Sequence, residues 1–550
     1  MAANGSGGQL QQYLFSYAAK GLQSYIMRTG LLRDMVGATS LIEKLSAPDE
    51  IDLRLLALGL GREEYQIVQA AAGSARLLLF GDGVANRVAA HWPIICHAVA
   101  PGLELVQHLE PLTKGYVAAA AQSSLELERA RSAPAIRLPE AGPFVRRAGR
   151  TGYPSVAEEN GEWIDLPTLR KRAERNSGRR ALSNIADAFG FQTDSQIPND
   201  FEQISGGNSY LAIIHADGNG VGKMFIDVLD ALRSGDCDDQ RAIEFISSLS
   251  KSVVDGTRAA VRHAVSELSF DKNVMPWPIA PIVLAGDDVT LVTRADLALT
   301  FSEAFLTHFS AVMSSLLDKL RERTHATAPN VAAAIPAAIS TGVGVVFCSD
   351  HYPFAAGYSL CESLASFAKQ QAKLRVTNGP VPPPSIAFHK VTGAFSPETV
   401  DELASGIWRG ASGVRLTACP YFVGSVEEPR FANLVSAARP ARYTGHDAEK
   451  RGLPSSALRG LLNLLRTSDV GSVIDAVKRM KEVAHSSPGS AQERAWEEFE
   501  SAWKRLAPRH QADANWMDLE LETNASSTAR TTPFADLLTV ADMGRKPVSA

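Results

Sequence analysis

The sequence predicts an α+β protein: two ferredoxin-like units, a helical segment between them and a helical C-terminal part. Strand-length apolar runs and helix-length amphipathic runs follow a β-α-β-β-α-β order, and that order occurs twice. Beyond about residue 396 the spacing is mostly helical. At 550 residues the chain is also too long for one core. The expected divisions are 1–125, 126–205, 206–395 and 396–550.

In the first unit, residues 11–19 read as a strand. Leu22 to Leu45 has helical spacing interrupted by Gly30 and Gly37, so two shorter helices are expected. Residues 75–80 form an apolar strand running into Gly81-Asp82-Gly83, a helix follows to about Val99, and 103–108 suggests a further strand. The segment 126–205 has several prolines, no clear strand, and basic clusters at Arg146–Arg150, Arg170–Arg175 and Arg179-Arg180. Such clusters usually mark a solvated helix face; a phosphate or nucleic-acid contact is the sharper reading.

The second unit starts with a strand at 210–216, then helices at about 220–233 and 239–266, the latter with Ile243, Ile246, Leu249 and Val253 at core spacing. Strands at 281–285 and 289–293 flank a tight turn, a long helix covers about 296–322, and 338–347 is the closing strand. A helix from about Phe354 to Leu374, the proline-rich 379–384 and a short strand at 385–389 complete it. Helical spacing returns at 454–465 and 473–483, and 524–532 reads as a polar loop.

Composition bounds the function. With 45% hydrophobic and 21% charged residues the chain is of globular type, and a net charge of −5 exerts no global pull toward nucleic acid. No apolar run spans a bilayer, and the N-terminus lacks signal-peptide features. Five scattered cysteines without a Cys-x-x-Cys pair point to a reducing, cytoplasmic setting rather than a disulfide frame or zinc ribbon.

The chemistry concentrates in two pieces. Tyr210–Lys223 is a strand ending at Asp217 and turning through Gly218, Asn219, Gly220 and Gly222 into a helix. Pro281–Thr293 is a hairpin with Gly286, Asp287 and Asp288 at its turn. Singly, each also describes an ordinary surface turn. If the strands are neighbours, three carboxylates converge, and their mutual repulsion is relieved by divalent cations suited to phosphate chemistry. The first unit has no aspartate at the matching place in Ser16–Ala19. His215 reads as a core histidine rather than a ligand.

This arrangement resembles the palm of polymerases and nucleotide cyclases, and more closely that of the large subunit of type III CRISPR complexes. Four motifs carry the likeness: Ala216–Gly222, Ala285-Gly286-Asp287-Asp288, Ser340–Gly344 followed by Ala368–Lys373, and Gly21–Ile26 with Leu32–Leu41. The resemblance implies two palm-type domains and a nucleotidyltransferase that converts ATP or another NTP to a cyclic oligonucleotide messenger in antiviral defence. It implies two Mg²⁺ or Mn²⁺ ions on Asp217, Gly218, Asp287 and Asp288, activating a 3′-hydroxyl and steadying the leaving pyrophosphate. Gly218, Asn219, Gly220, Gly222 and Gly286 would lie at the nucleotide, with Lys369 or, favoured by the resemblance, Lys373 on the triphosphate. The partners it implies are a guide RNA and small CRISPR subunits, or a second copy of the chain. Two departures stand out: Ala285 replaces the first glycine of a GGDD motif, and no HD nuclease domain or Cys-x-x-Cys motif is present. HD-site DNA cleavage is therefore not expected. A subunit with a regulatory or degenerate palm, and a diguanylate-type cyclase lacking the Glu-Phe of GGDEF, are the alternatives.

Overall fold

The computed structural model describes residues 11–71, 73–133, 140–177, 183–207, 210–235, 237–375, 381–393, 397–411, 414–425, 427–442, 452–468, 470–506, 519–520 and 530–544. Arg179-Arg180, part of the proline-rich 379–384 and most of the polar stretch 524–532 lie outside them.

The chain begins with β1 (Gln12–Lys20), α1 (Leu22–Met27), α2 (Leu32–Glu43) and α3 (Pro48–Ala57). It continues through β2 (Tyr65–Ala71), β3 (Ser74–Phe80), α4 (Asp82–Val99), β4 (Glu104–Pro111) and α5 (Tyr116–Ser132). The four strands form one antiparallel sheet in the order β2-β3-β1-β4. Strand β2 has no counterpart in the sequence reading. Its Gln66, Gln69 and Ala70 dilute the apolar signal, and its register shifts between Ile67 and Gln69.

Gly30 ends the first helical stretch in the left-handed region, at φ +70°. Gly37 does not interrupt α2, contrary to expectation. It sits in mid-helix because a Cβ there would lie 2.0 Å from the Lys171 carbonyl oxygen, so glycine permits a close helix crossing.

Next come β5 (Ser155–Glu159) and β6 (Glu162–Asp165), then α6 (Leu166–Arg175), α7 (Ser183–Phe189) and α8 (Phe201–Ser205). The hairpin β5–β6 corrects the expectation of no strand here; its alternation is masked by glutamates on both strands. The reading of a solvated basic face on α6 is also overturned. Lys171, Arg172 and Arg175 are buried, and Arg172 bridges Asp34, Glu159 and Glu162 at 3.0, 3.2 and 2.7 Å. Carboxylates of other elements neutralise Arg172, while Lys171 Nζ and Arg175 Nη2 donate to the backbone carbonyls of Tyr25 and Ile197; a local charge pattern shows none of these partners.

The second sheet is built from β7 (Tyr210–Gly218), α9 (Val221–Ser234), α10 (Asp239–Ser266), β8 (Ile279–Ala285) and β9 (Asp288–Arg294). It is completed by α11 (Ala298–His325), α12 (Pro329–Ala334), β10 (Thr341–Ser349), α13 (Phe354–Leu374) and β11 (Ser385–Lys390). After α14 (Val400–Ser405), β12 (Tyr421–Phe422) adds an edge, giving the order β12-β11-β10-β7-β9-β8. Only the β10–β11 pair is parallel. The α10 residues Ile243, Ile246, Leu249 and Val253 are all buried at the expected helical spacing.

The two sheets are tied together at the protein's centre. Thr39 on α2 donates to the Ile282 carbonyl of edge strand β8, and the Tyr116 N–H at the start of α5 donates to Asp239 Oδ1 at 2.7 Å. The rest is α15 (Phe431–Arg442), α16 (Ser455–Thr467), α17 (Val470–His485), α18 (Ala491–Leu506), a short pair β13 (Leu519–Glu520) and β14 (Arg530–Thr531), and α19 (Phe534–Met543). Lys390 of β11 and Arg459 of α16 both pair with Asp542 of α19, at 3.0 and 3.1 Å. Among the described residues no helix is long and apolar enough to cross a membrane.

Candidate metal and nucleotide site

Strand β7 is the middle of the second sheet, hydrogen-bonded to β10 on one side and β9 on the other. Its run Leu211–Ala216 is wholly buried, His215 included, which places the first carboxylate, Asp217, where the strand leaves the core. On β9 the hairpin with β8 pairs Ala285 with Asp288, leaving Gly286 and Asp287 as a two-residue loop. Gly286, at φ +67°, supplies the left-handed residue such a loop requires. Ala285 ends an extended strand, where its Cβ is conformationally allowed; the departure from GGDD falls at a position that does not need glycine for its backbone angles.

The expected convergence is present. Asp217, Asp287 and Asp288 bring one carboxylate oxygen each within 4.8 Å of one another. Gly218 makes the approach sterically possible, since a Cβ there would lie 2.5 Å from Asp287 Oδ2. Burial, and then the Asp217 charge, pushes the Asp287 carboxyl up, partly offset by backbone N–H groups of Asp287 and Gly218 and by Lys369. Burial followed by the charges of Asp287 and Asp217 pushes Asp288 up to about 7. Three carboxylates in this state are a donor set suited to a hard divalent cation, which would stabilise all three in ionised form. A second cluster, His485, Glu493 and Glu497, also places ligand atoms within 4.8 Å on the surface of α17 and α18.

The turn after β7 is anchored rather than loose. The Asn219 N–H donates to the Ser340 carbonyl at 2.8 Å and its side-chain amide to Ser340 Oγ at 2.9 Å, while Oδ1 is buried without a partner. Gly220, at φ +84°, is the N-cap of α9, and Gly222 lies in the first turn with open space around its Cα. His215 is buried, with Nδ1 2.9 Å from Thr290 Oγ1 and its ring edge-on to Tyr358; burial lowers its pKa.

Of the two lysines, Lys369 reaches the trio: its Nζ contacts Asp217 Oδ2. Lys373, one turn further along α13, is exposed. The sequence motif contains both at the same helical spacing, so only the depth of α13 against β10 separates them. That depth is set by Gly344, where a Cβ would lie 2.1 Å from the Cys361 carbonyl oxygen. The alternation Gly342-x-Gly344 on one strand face was the available signal.

A cavity of about 880 Å³ opens beside the trio and runs between the two sheets. Asp288, Gly286 and Tyr358 line it from the second sheet's side, Lys20, Gln23 and Gln69 from the first. Gln23 donates to the Tyr358 hydroxyl at 2.8 Å, closing one end. Counted from the strand starts, the first sheet's β1 has Ala19 where β7 has Asp217, so that strand offers no matching carboxylate; the first unit's carboxylates at the cavity are Glu43 and Asp49, on α2 and α3.

No protein-family model matches the sequence, and no curated protein does. Solved structures do. The Csm1 chain of an apo Csm1–Csm4 cassette matches 99% of this chain and 72% of its own, at TM-score 0.51 and 13% identity. A Csm1–Csm4 cassette in complex with pppApA matches 98% of this chain and 70% of its own, at 0.49 and 15%. Csm1 from T. onnurineus matches 99% and 71%, at 0.48 and 14%. The chain thus has the fold of Csm1, the large subunit of type III CRISPR systems.

Proposed function

We propose that this chain is a metal-dependent nucleotidyltransferase that joins ATP, or another NTP, into a cyclic oligonucleotide. The observation that carries this reading is the meeting of Asp217, Asp287 and Asp288, the last of which lines, with Gly286, a cavity large enough for nucleotides. The sheet orders β4-β1-β3-β2 and β10-β7-β9-β8 are those of two ferredoxin-like units, and we assign the palm role to the second.

In this reading Asp217, Asp287 and Asp288, with the Gly218 carbonyl, hold Mg²⁺ or Mn²⁺. Such ions, when bound, lower the pKa of an attacking 3′-hydroxyl and stabilise the leaving pyrophosphate. The protein's own groups bind and orient. The N-terminus of α9, from Gly220 to Gly222, offers backbone N–H groups to phosphate oxygens. Asn219 holds that turn against Ser340. Gly286 keeps the hairpin tight enough to present both aspartates, and Lys369 and Lys373 supply positive charge to the triphosphate side. The cavity faces both units, so a nucleotide on the aspartates and one against the first sheet would lie side by side within one chain.

Incubation with labelled NTPs and Mg²⁺ or Mn²⁺, read by mass spectrometry, tests the proposal. A 3′–5′-linked product is expected from the natural chain and none from Asp287→Ala/Asp288→Ala; equal product from both would refute it. The same assay separates an ATP-using enzyme from a diguanylate-type cyclase by its base preference. A second reading, a large subunit acting inside an RNA-guided complex, is favoured by the fold likeness to a Csm1 solved together with Csm4. It predicts co-purification with guide RNA and small protein subunits.

A further inference from the structure

We propose that Lys369 is the resident counter-ion of Asp217, so that a divalent cation must displace it. The triphosphate of an incoming nucleotide then takes the released ammonium. This makes Lys369 a specificity-determining residue that favours a metal–nucleotide pair over free metal. The inference rests on the reading of the aspartate trio as a metal site.

The placement of the lysine is built into the sheet. Gly342 of β10 lies directly opposite Asp217 in the β7–β10 register. A Cβ on Gly342 would lie 2.5 Å from Lys369 Cγ and 3.2 Å from Lys369 N and the Ala365 carbonyl oxygen. The glycine therefore forms a slot through which the lysine stem crosses β10 to the aspartate. Its side chain is 17% exposed against 37% for Asp217, so the ammonium is held at the carboxylate rather than wandering in solvent. A lysine on an ordinary strand face would be kept off by the intervening side chain.

The charges give the consequence. Three carboxylates carry −3 when ionised and Lys369 adds +1, leaving −2. One divalent ion balances that; a second requires further negative charge, which a triphosphate supplies. A cation approaching Asp217 alone meets both an occupied oxygen and a like charge within a few ångströms. A metal–nucleotide pair removes both obstacles, because the phosphates offer the ammonium a new partner.

The test is Mn²⁺ binding to the full chain, read from the free-ion electron paramagnetic resonance signal, with and without a non-hydrolysable ATP analogue. Asp287→Ala/Asp288→Ala defines the background, including any ion on the surface cluster of His485, Glu493 and Glu497. We expect Lys369→Met to bind Mn²⁺ alone about tenfold or more tightly than the natural chain. The enhancement of Mn²⁺ binding by the analogue should shrink by a similar factor, as reciprocal coupling requires. Gly342→Ala, which closes the slot, should shift Mn²⁺ binding in the same direction, and Lys369→Gln provides a second side-chain variant. If Lys369→Met and Lys369→Gln bind Mn²⁺ alone no more tightly than the natural chain, while the natural chain with the analogue binds above the aspartate-variant background, the lysine proposal is overturned and the metal site stands. If no chain binds Mn²⁺ above that background even with the analogue, the metal reading itself falls.

Discussion

Replacing Arg172 with methionine should loosen the contact between the two sheets. The Arg172 side chain is 2% exposed and its Nε lies 3.0 Å from Asp34 Oδ1, whose side chain is 0% exposed. Its other nitrogens reach Glu162 at 2.7 Å and Glu159 at 3.2 Å. Burial raises the Glu162 carboxyl, but Arg172 and Arg150 outweigh it and hold the group below the usual carboxylate range. Methionine fills much of the aliphatic volume and leaves Asp34 with the Arg33 guanidinium, 3.8 Å away. Breaking a buried ion pair from one side costs roughly 3–5 kcal/mol. The two glutamates are partly exposed and can rehydrate, so we expect a cost of about 3 kcal/mol, at the low end. A chain of this size does not unfold in one step, so the suitable assay is amide hydrogen exchange of residues 32–43 and 166–175. A loss of about 3 kcal/mol corresponds to roughly hundredfold faster exchange there. Strand β8 should follow, because Thr39 of α2 bonds its Ile282 carbonyl. The double variant Arg172→Met/Asp34→Leu removes both charges and should recover most of the loss. A single-variant effect below about 1 kcal/mol, or a double variant equal to the sum of its parts, would refute the argument.

Gly344→Ala should lower thermal stability by about 1–3 kcal/mol or more, because its Cβ meets backbone, the Cys361 carbonyl at 2.1 Å, rather than a yielding side chain; an unchanged melting temperature would show that α13 is not seated as described. Gly218→Ala places a Cβ 2.5 Å from Asp287 Oδ2 and 2.7 Å from Val221 Cγ2, side-chain atoms rather than backbone. Mn²⁺ binding should fall sharply with little change in melting temperature, and retained binding would count against Asp287 as a ligand. Asp536 is buried and accepts hydrogen bonds from Tyr421, Ala418 and Thr417 at 2.7, 2.8 and 3.1 Å. Burial nevertheless raises its carboxyl from 3.8 to about 6. A group raised on folding stabilises the fold below its unfolded value and loses that contribution as pH rises through its folded value. Stability of the C-terminal helices should therefore fall between about pH 4 and pH 6 by about 3 kcal/mol, and Asp536→Asn should flatten the slope over that window. Equal slopes in the two chains would exclude Asp536 as its source.

Much of the second sheet was legible from local pattern. Leu211–Ala216 is apolar apart from His215 because it is buried on both faces, and the Gly286-Asp287 turn announces the hairpin by its chemistry. The long helices α10 and α13 show their core faces at regular spacing. Strand β2 was not legible, because three polar or small residues and a bulge blur its alternation. The basic residues of α6 were misleading for a related reason. The partners of Arg172, Asp34, Glu159 and Glu162, include one more than a hundred residues away, Lys171 and Arg175 bond backbone carbonyls, and charge pattern along the chain does not carry that information.

The sequence by itself determined the residue types of the candidate site: the strand ending in Asp217, the Asp287-Asp288 hairpin, the glycine turn and two lysines on one helix. Those depend on local backbone preference, which each short stretch expresses alone. Which lysine meets Asp217, why Gly342 must be small, and that the cavity opens toward the other sheet were decided by tertiary structure alone. They depend on how closely a helix can approach a strand far away in the chain, and that distance is set by the atoms of both.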